Sequence, residues 1–212
     1  MMKTLVVGPL DVNCYIVWEG DSAFVIDPGG DADIIARELK KEGLAIAYII
    51  NTHGHFDHVG GDADMKALGG VLAIHPEDAP LLEEARDHGI LYGVKIPEQG
   101  APDELLKDGM KLQAGSLTLE VLHTPGHTRG GVCFFDRKNG DLFTGDTLFA
   151  GSVGRTDFEG GSYDELMDSI KKKILPLGDS VRVHPGHGPS STIGREKTMN
   201  PFVLELLGKE GR

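Results

Sequence analysis

Apolar and polar positions along the chain predict strands and helices interleaved from start to finish. Met1–Asp11 reads as an opening strand. Val12–Trp18 and Ala23–Ile26 flank Glu19-Gly20-Asp21-Ser22, a hairpin signal, and Asp27-Pro28-Gly29-Gly30 stops the second of these strands. Between Asp33 and Glu42 the apolar residues Ile34, Ile35 and Leu39 have helical spacing, and Gly43 closes the helix. Ala45–Ile50 is a short continuous apolar run, as expected of a strand buried on both faces. It runs directly into Thr52-His53-Gly54-His55-Phe56-Asp57-His58. A second helix is expected over Gly61–Leu68 and a strand at Val71–Ile74.

Residues 76–110 differ in texture. They hold Pro76, Pro80, Pro97 and Pro102 and an acidic helical stretch from Ala79 to Asp87, and they read as an excursion over the surface. Strands resume at Leu117–Leu122, Gly131–Phe135 and Asp141–Phe143. A helix over Tyr163–Ile174, a strand at Val181–Val183 and a last helix over Pro201–Leu207 follow. Asn200 is the expected N-cap of that helix, with Pro201 at its first position. Mixed strands and helices in both halves predict an α/β sandwich of sheets covered by helices, formed by residues 1–212 as one domain.

Composition narrows the function. The 212 residues carry 21 basic and 33 acidic side chains, a formal charge of −12. Nucleic-acid affinity rests on Lys and Arg displacing counterions, so a nucleic-acid partner is not expected. The longest apolar run, Leu44–Ile50, is far short of the ~20 residues that span a bilayer, and no export signal opens the chain; no membrane partner is expected. Cys14 and Cys133 sit in strand-like surroundings and read as buried thiols, consistent with a cytoplasmic location.

The chemistry concentrates in a few short segments. His53, His55 and His58 fall within six residues, with Asp57 among them. Spacing of two after a strand lets His53 and His55 share one metal while Asp57 and His58 point to a neighbouring position. Imidazole and carboxylate donors suit zinc, iron or manganese, and no Cys lies nearby to make a structural zinc site. Alone, the cluster also fits an exposed polar loop. Thr124-Pro125-Gly126-His127 and His184-Pro185-Gly186-His187 change that reading: each follows a strand, and Pro-Gly suits the centre of a type II turn that delivers a histidine. Asp146 ends another strand. No G-x-S-x-G elbow, P-loop or G-x-G-x-x-G is present, so serine-hydrolase, P-loop and Rossmann readings have no support.

These segments resemble those of the metallo-β-lactamase superfamily, and within it the glyoxalase II-like thioesterases, or hydroxyacylglutathione hydrolases. The likeness rests on Leu10–Tyr15, Thr52–His58, His123–Thr128, Gly145–Phe149 and His184–Gly188. It implies a four-layer αβ/βα sandwich of two mixed sheets flanked by helices. It also implies a binuclear site of two divalent ions (Zn, Fe or Mn). His53, His55 and His127 would hold one metal, Asp57, His58 and His187 the other, and Asp146 would bridge them. A metal-bridging hydroxide would attack the substrate carbonyl, with Asp57 orienting it or accepting its proton. The implied substrate is a small-molecule thioester of the S-lactoylglutathione type. Residues 188–212 are all that follow His187, so the resemblance is to a short form lacking the C-terminal helical domain that contacts glutathione.

Further candidates surround that set. Asp27 could orient a ligand histidine or serve a plain turn. Arg155 could contact substrate or pair with Asp157. His123 and His184 read as strand residues or supports for the ligands, and His75 and His88 as ordinary surface residues. A persulfide dioxygenase is a rival, since that relative shares Gly154-Arg155-Thr156-Asp157; a single iron on His53, His127 and Asp146 would then suffice. A lactone or other ester hydrolase on the same site is a further alternative, whereas a non-catalytic module would require ligands to be missing.

Overall fold

The computed structural model describes residues 1–208. Strands β1 (Met2–Val7), β2 (Val12–Glu19) and β3 (Ser22–Ile26) form an antiparallel meander, with Glu19 paired to Ser22 across the predicted two-residue turn. Pairing then becomes parallel, which demands crossover connections. Helix α1 (Ala32–Glu42) leads to β4 (Ala45–Ile50). Helices α2 (Phe56–Val59) and α3 (Asp62–Ala67) lead to β5 (Val71–Ile74), and α4 (Ala79–Leu91) to the edge strand β6 (Glu104–Leu105). These six strands lie in sequence order in the first sheet.

The second sheet contains β7 (Lys111–Ala114), β8 (Leu117–His123), β9 (Val132–Asp136) and β10 (Asp141–Gly145). A small hairpin, β11 (Leu148–Phe149) and β12 (Ser152–Val153), leads to α5 (Tyr163–Ser169). The sheet is completed by β13 (Arg182–Pro185) and β14 (Ser191–Thr192), in the order β14-β13-β10-β9-β8-β7, and β10 with β13 is its parallel pair. Helices α6 (Ile193–Met199) and α7 (Pro201–Leu206) follow, α7 capped by the Asn200 side chain as its sequence predicts.

Strand alternation sorts the core into layers. From β2, Cys14, Ile16 and Trp18 face Ile35 and Leu39 of α1, Met65 of α3 and Leu82 of α4. Tyr15 and Val17 face the other way, packing with Phe24 and Ile50 against Leu119, Val121, Phe134 and Phe143 of the second sheet. The outer face of that sheet, with Cys133, Phe135 and Val183, is covered by Leu166, Ile170 and Val203. Helix, sheet, sheet, helix is the four-layer sandwich expected. No helix among the described residues is long and apolar enough to cross a membrane.

Two expectations need correction. Residues 76–110 are more than a surface excursion: Leu82, Ala85 and Gly89 form a buried stripe on α4, Ile96 and Leu106 are buried, and Glu104–Leu105 extends the first sheet. The proline-rich texture masks a helix spaced to pack. The helix expected over Tyr163–Ile174 is regular only to Ser169; it widens to a π turn at Ile170–Ile174 and tightens to a 3₁₀ turn at Leu175–Leu177. Pro176 has no N–H to continue the α pattern and crowds the preceding turn.

Phe134 is fully buried between the sheets. Phe134→Ala is expected to cost about 3–5 kcal/mol of stability, read from urea midpoints of chelator-treated protein. A loss below about 1 kcal/mol would contradict the packing described for that layer.

Candidate metal centre

The sequence delivers its histidines at strand ends. Beyond β4 the backbone bends at Thr52 and His53 and is extended again at His55, φ −65°, ψ 143°, and His53 and His55 converge on one side. The single turn of α2 then rotates Asp57 and His58 to a neighbouring position. His127 follows β8, Asp146 follows β10 and His187 follows β13. The start of β2 secures the last of these. Asn13 N–H donates to the Gly186 carbonyl at 2.7 Å, and its side-chain amide donates to the carbonyls of Pro185 at 3.0 Å and Gly188 at 2.8 Å. The Tyr15 hydroxyl donates to Pro185 at 2.7 Å. The sheets are stitched directly by Val132 N–H to the Thr52 carbonyl at 2.8 Å.

The two Pro-Gly steps share position but not conformation, which corrects the expectation of two type II turns. Gly126 has φ 131°, and a Cβ there would strike the Leu166 backbone. Gly186 is not in the positive-φ region; a Cβ there would collide with Asp146 Oδ1 and the His58 ring. At Gly186, glycine is required by the crowding of the site itself.

All seven candidate ligands converge. Ligand-type atoms of His53, His55 and His127 lie within 4.8 Å of one another, as do those of Asp57, His58 and His187, and those of His53, His58 and Asp146. His127 Nε2 is 3.0 Å from His55 Nδ1. Asp146 lies between the groups, with Oδ1 3.4 Å from His58 Nε2 and Oδ2 3.6 Å from His127 Nε2 and 3.8 Å from His187 Nε2. Asp57 Oδ2 is 3.4 Å from His187 Nε2.

The far sides of the His127, His58 and His53 rings are occupied, which fixes the atoms that face inward. His127 Nδ1 donates to the Arg155 carbonyl at 2.7 Å, leaving an Nε2 lone pair toward His55. Asp27, 1% exposed, accepts from Thr52 N–H and the Thr52 hydroxyl at 2.7 Å each and from His58 Nδ1 at 3.0 Å. The Thr52 oxygen in turn stands 3.1 Å from His53 Nδ1.

His53 Nε2, His58 Nε2 and Asp146 Oδ1 are buried with no hydrogen-bond partner. Buried polar atoms without partners are costly, and divalent cations would satisfy all three. The donor set therefore fits divalent metal. Burial, reinforced by neighbouring imidazoles, holds His53 far below the usual histidine range and pushes His55 down to about 3. Burial opposes charge on His58 too, but Asp146, Asp57 and Asp27 outweigh it and raise its pKa well above the ordinary value. Against their own burial, Asp57 and Asp146 are kept ionised chiefly by His58.

Of the two roles its sequence left open, Arg155 is seen in the pair with Asp157. Its carbonyl holds His127, while its guanidinium pairs with Asp157 at 2.7 Å and lies 3.9 Å from the centroid of Phe158, whose ring meets His55 edge-on at 5.4 Å. His184 is not brought to the cluster. It is still within β13, before the Pro-Gly step, and its ring bonds Asp141 at 2.7 Å and Ser190 at 3.1 Å. His123 ends β8 and stacks on His75 at 4.2 Å; His75 is buried, not a surface residue as expected, because His123 covers it. His88 lies on α4, 3.9 Å from Glu84. The sequence did not single out Asp78, a buried carboxylate bonded to Gly54, Thr128 and Gly130. Its only signal was a position ahead of Ala79-Pro80, which reads as an ordinary helix cap.

A helix–sheet–sheet–helix sandwich with histidines and aspartates gathered at its strand ends defines a metal-dependent hydrolase scaffold. The chain belongs to the metallo-beta-lactamase superfamily, whose family model matches residues 7–187. It is 37% identical over 195 residues to the hydroxyacylglutathione hydrolase GloC of Haemophilus influenzae, covering 90% of this chain and 92% of that protein. Among solved structures, the BLEG-1 B3 metallo-beta-lactamase superposes with a TM-score of 0.89 at 39% identity, covering 96% of this chain and 99% of that one. TTHA1623 in a di-iron-bound form superposes with a TM-score of 0.88 at 41% identity, covering 94% and 99%.

Because His58 is held protonated by three carboxylates, a metal entering at its Nε2 must displace a proton. Metal uptake near neutral pH is expected to release protons, and affinity to fall as pH drops. Titration calorimetry in two buffers of different ionisation enthalpy reads this directly. Identical heats in both buffers would contradict the charge state assigned to His58.

Proposed function

We propose that this chain is a binuclear metallo-hydrolase that cleaves thioesters, with a glutathione thioester of the S-lactoylglutathione type as its substrate. The observation that carries the two-metal reading is the division of seven side chains into two groups about Asp146, with buried inward-facing atoms that lack partners. His53, His55 and His127 would hold one ion and Asp57, His58 and His187 the other, with Asp146 between them. Divalent metal held there would supply hydroxide near neutral pH, by lowering the pKa of bound water to about 7, and would polarise a carbonyl.

The chain's own residues supply orientation and proton handling. Asp57, held ionised by His58 and His187 despite its burial, offers Oδ2 to orient the attacking group and take its proton. A thiolate leaves readily and is the final destination of that proton. Phe158 meets the His55 ring edge-on and carries on its face the Arg155 guanidinium, itself paired with Asp157, so the rim offers a substrate an apolar surface beside the cluster. The thioester assignment is supported by the likeness to a hydroxyacylglutathione hydrolase over nearly the whole chain.

Protein loaded separately with zinc, manganese and iron is expected to hydrolyse S-D-lactoylglutathione, followed by loss of thioester absorbance. His55→Ala and His187→Ala should each lower the rate by at least about 100-fold and reduce bound metal, since even residues that only orient ligands cost 10–100-fold. Full activity in either variant would overturn the binuclear assignment. No turnover with any metal would overturn the thioesterase reading and favour oxidation of glutathione persulfide, measured by oxygen uptake, or hydrolysis of lactones and other esters.

A further inference from the structure

The loop carrying His53 and His55 belongs to the first sheet and the turn carrying His127 to the second, yet one carboxylate is bonded to both. Asp78 is 1% exposed. Its Oδ2 accepts from the Gly54 N–H at 2.9 Å and from the Thr128 hydroxyl at 2.7 Å, and its Oδ1 accepts from the Gly130 N–H at 2.7 Å. Gly54 lies between His53 and His55, and Thr128 follows His127. Asp78 occupies the N-cap of α4, but its side chain makes no cap bond to that helix, and Pro80 removes one N–H that such a cap would serve. The carboxylate is thus committed to the two ligand loops.

Asp27 is bonded differently. It holds His58 directly and reaches His53 through Thr52. None of the three hydrogen bonds of Asp78 goes to Asp57, His58 or His187. Its helix does pack on α2, but through Phe56, Val59, Leu82 and Ala85, an apolar contact independent of the carboxylate.

We propose that Asp78 is a positioning residue that sets the spacing of His53, His55 and His127, and so governs the metal position those three hold without governing the one held by Asp57, His58 and His187. The inference rests on the two-metal reading above. All three groups facing Asp78 are donors, two of them backbone N–H groups that cannot reverse. An Asn in its place puts an amide NH₂ against at least one of those N–H groups in either orientation. One ligand loop must then move away from the other.

The test is a cobalt titration of the whole protein, with metal content measured directly and the cobalt absorption bands followed. Wild type is expected to take up two equivalents. In Asp78→Asn one equivalent should weaken by about 10–100-fold, the range for groups that orient metal ligands, while the other is unchanged. The assignment to a position comes from double variants. Asp78→Asn should weaken the equivalent that remains in His187→Ala and leave unchanged the one that remains in His55→Ala. Thr128→Val, which removes a single bond to Asp78, should show the same selectivity to a smaller degree, and it keeps the question answerable if Asp78→Asn fails to fold. Equal weakening of both equivalents, or none, with wild type still binding two, would overturn the inference alone. A wild type that binds fewer than two would overturn the two-metal reading and this inference with it.

Discussion

The carboxylate of Asp27 is the interaction on which the strand-end arrangement depends. It sits at φ 49°, a left-handed conformation that costs a non-glycine residue on the order of 1 kcal/mol. The strain is offset by three hydrogen bonds, two from Thr52 and one from His58. Without this acceptor, the buried Thr52 N–H has no partner at the point where β4 gives way to the histidine loop. That N–H bonds Oδ1; the other oxygen, Oδ2, accepts from the Thr52 hydroxyl and from His58 Nδ1 and so fixes which nitrogen of His58 faces inward. Backbone path, ring orientation and tautomer are therefore set by one buried group.

Charge explains why the cluster is built for cations and not simply tolerant of them. Asp27, Asp57 and Asp146 bring three carboxylates into a buried space in which His53 and His55 stay neutral. Local compensation comes from His58 and His187, whose pKa values rise in answer to those carboxylates against the pull of burial. Protons are thus the stand-in for metal charge. Replacing them with divalent ions relieves carboxylate repulsion and satisfies His53 Nε2, His58 Nε2 and Asp146 Oδ1 together. Crowding follows from the same demand, and Gly186 is its mark: no side chain fits where Asp146 and His58 approach the backbone.

Much of this was legible in the sequence because it is local. The continuous apolar run of β4, the spacing of His53 and His55, and the position of His127 and His187 after strands are all short-range patterns, and the structure gathers those residues at one end of the sandwich. What was hidden depends on pairing across the fold. Glu104–Leu105 is too short to show alternation and becomes a strand only because β5 offers a free edge. His75 looks like a loop residue until His123 is laid over it from the second sheet. His184 and His187 look alike in the chain, but one precedes the Pro-Gly step and bonds Asp141 of the neighbouring β10, while the other follows it. Asp78 resembles any helix cap, because its partners are 24, 50 and 52 residues away in sequence.

The segment after Asp146 ties the rim of the cluster to its buried ligands. Arg155 orients His127 through its backbone carbonyl while its guanidinium lies on Phe158 and pairs with Asp157 at the rim. Phe158 in turn meets the ring of His55. A change in the rim side chains leaves the carbonyl available to His127 only if the backbone of residues 155–158 keeps its course. Replacing the Arg155 side chain leaves that carbonyl bond in place, whereas replacing Phe158 also removes a ring packed on His55, and an insertion in this segment displaces the carbonyl itself. Buried ligands and rim are thus joined by one carbonyl and one aromatic contact, and the course of this backbone is held by the histidine it serves.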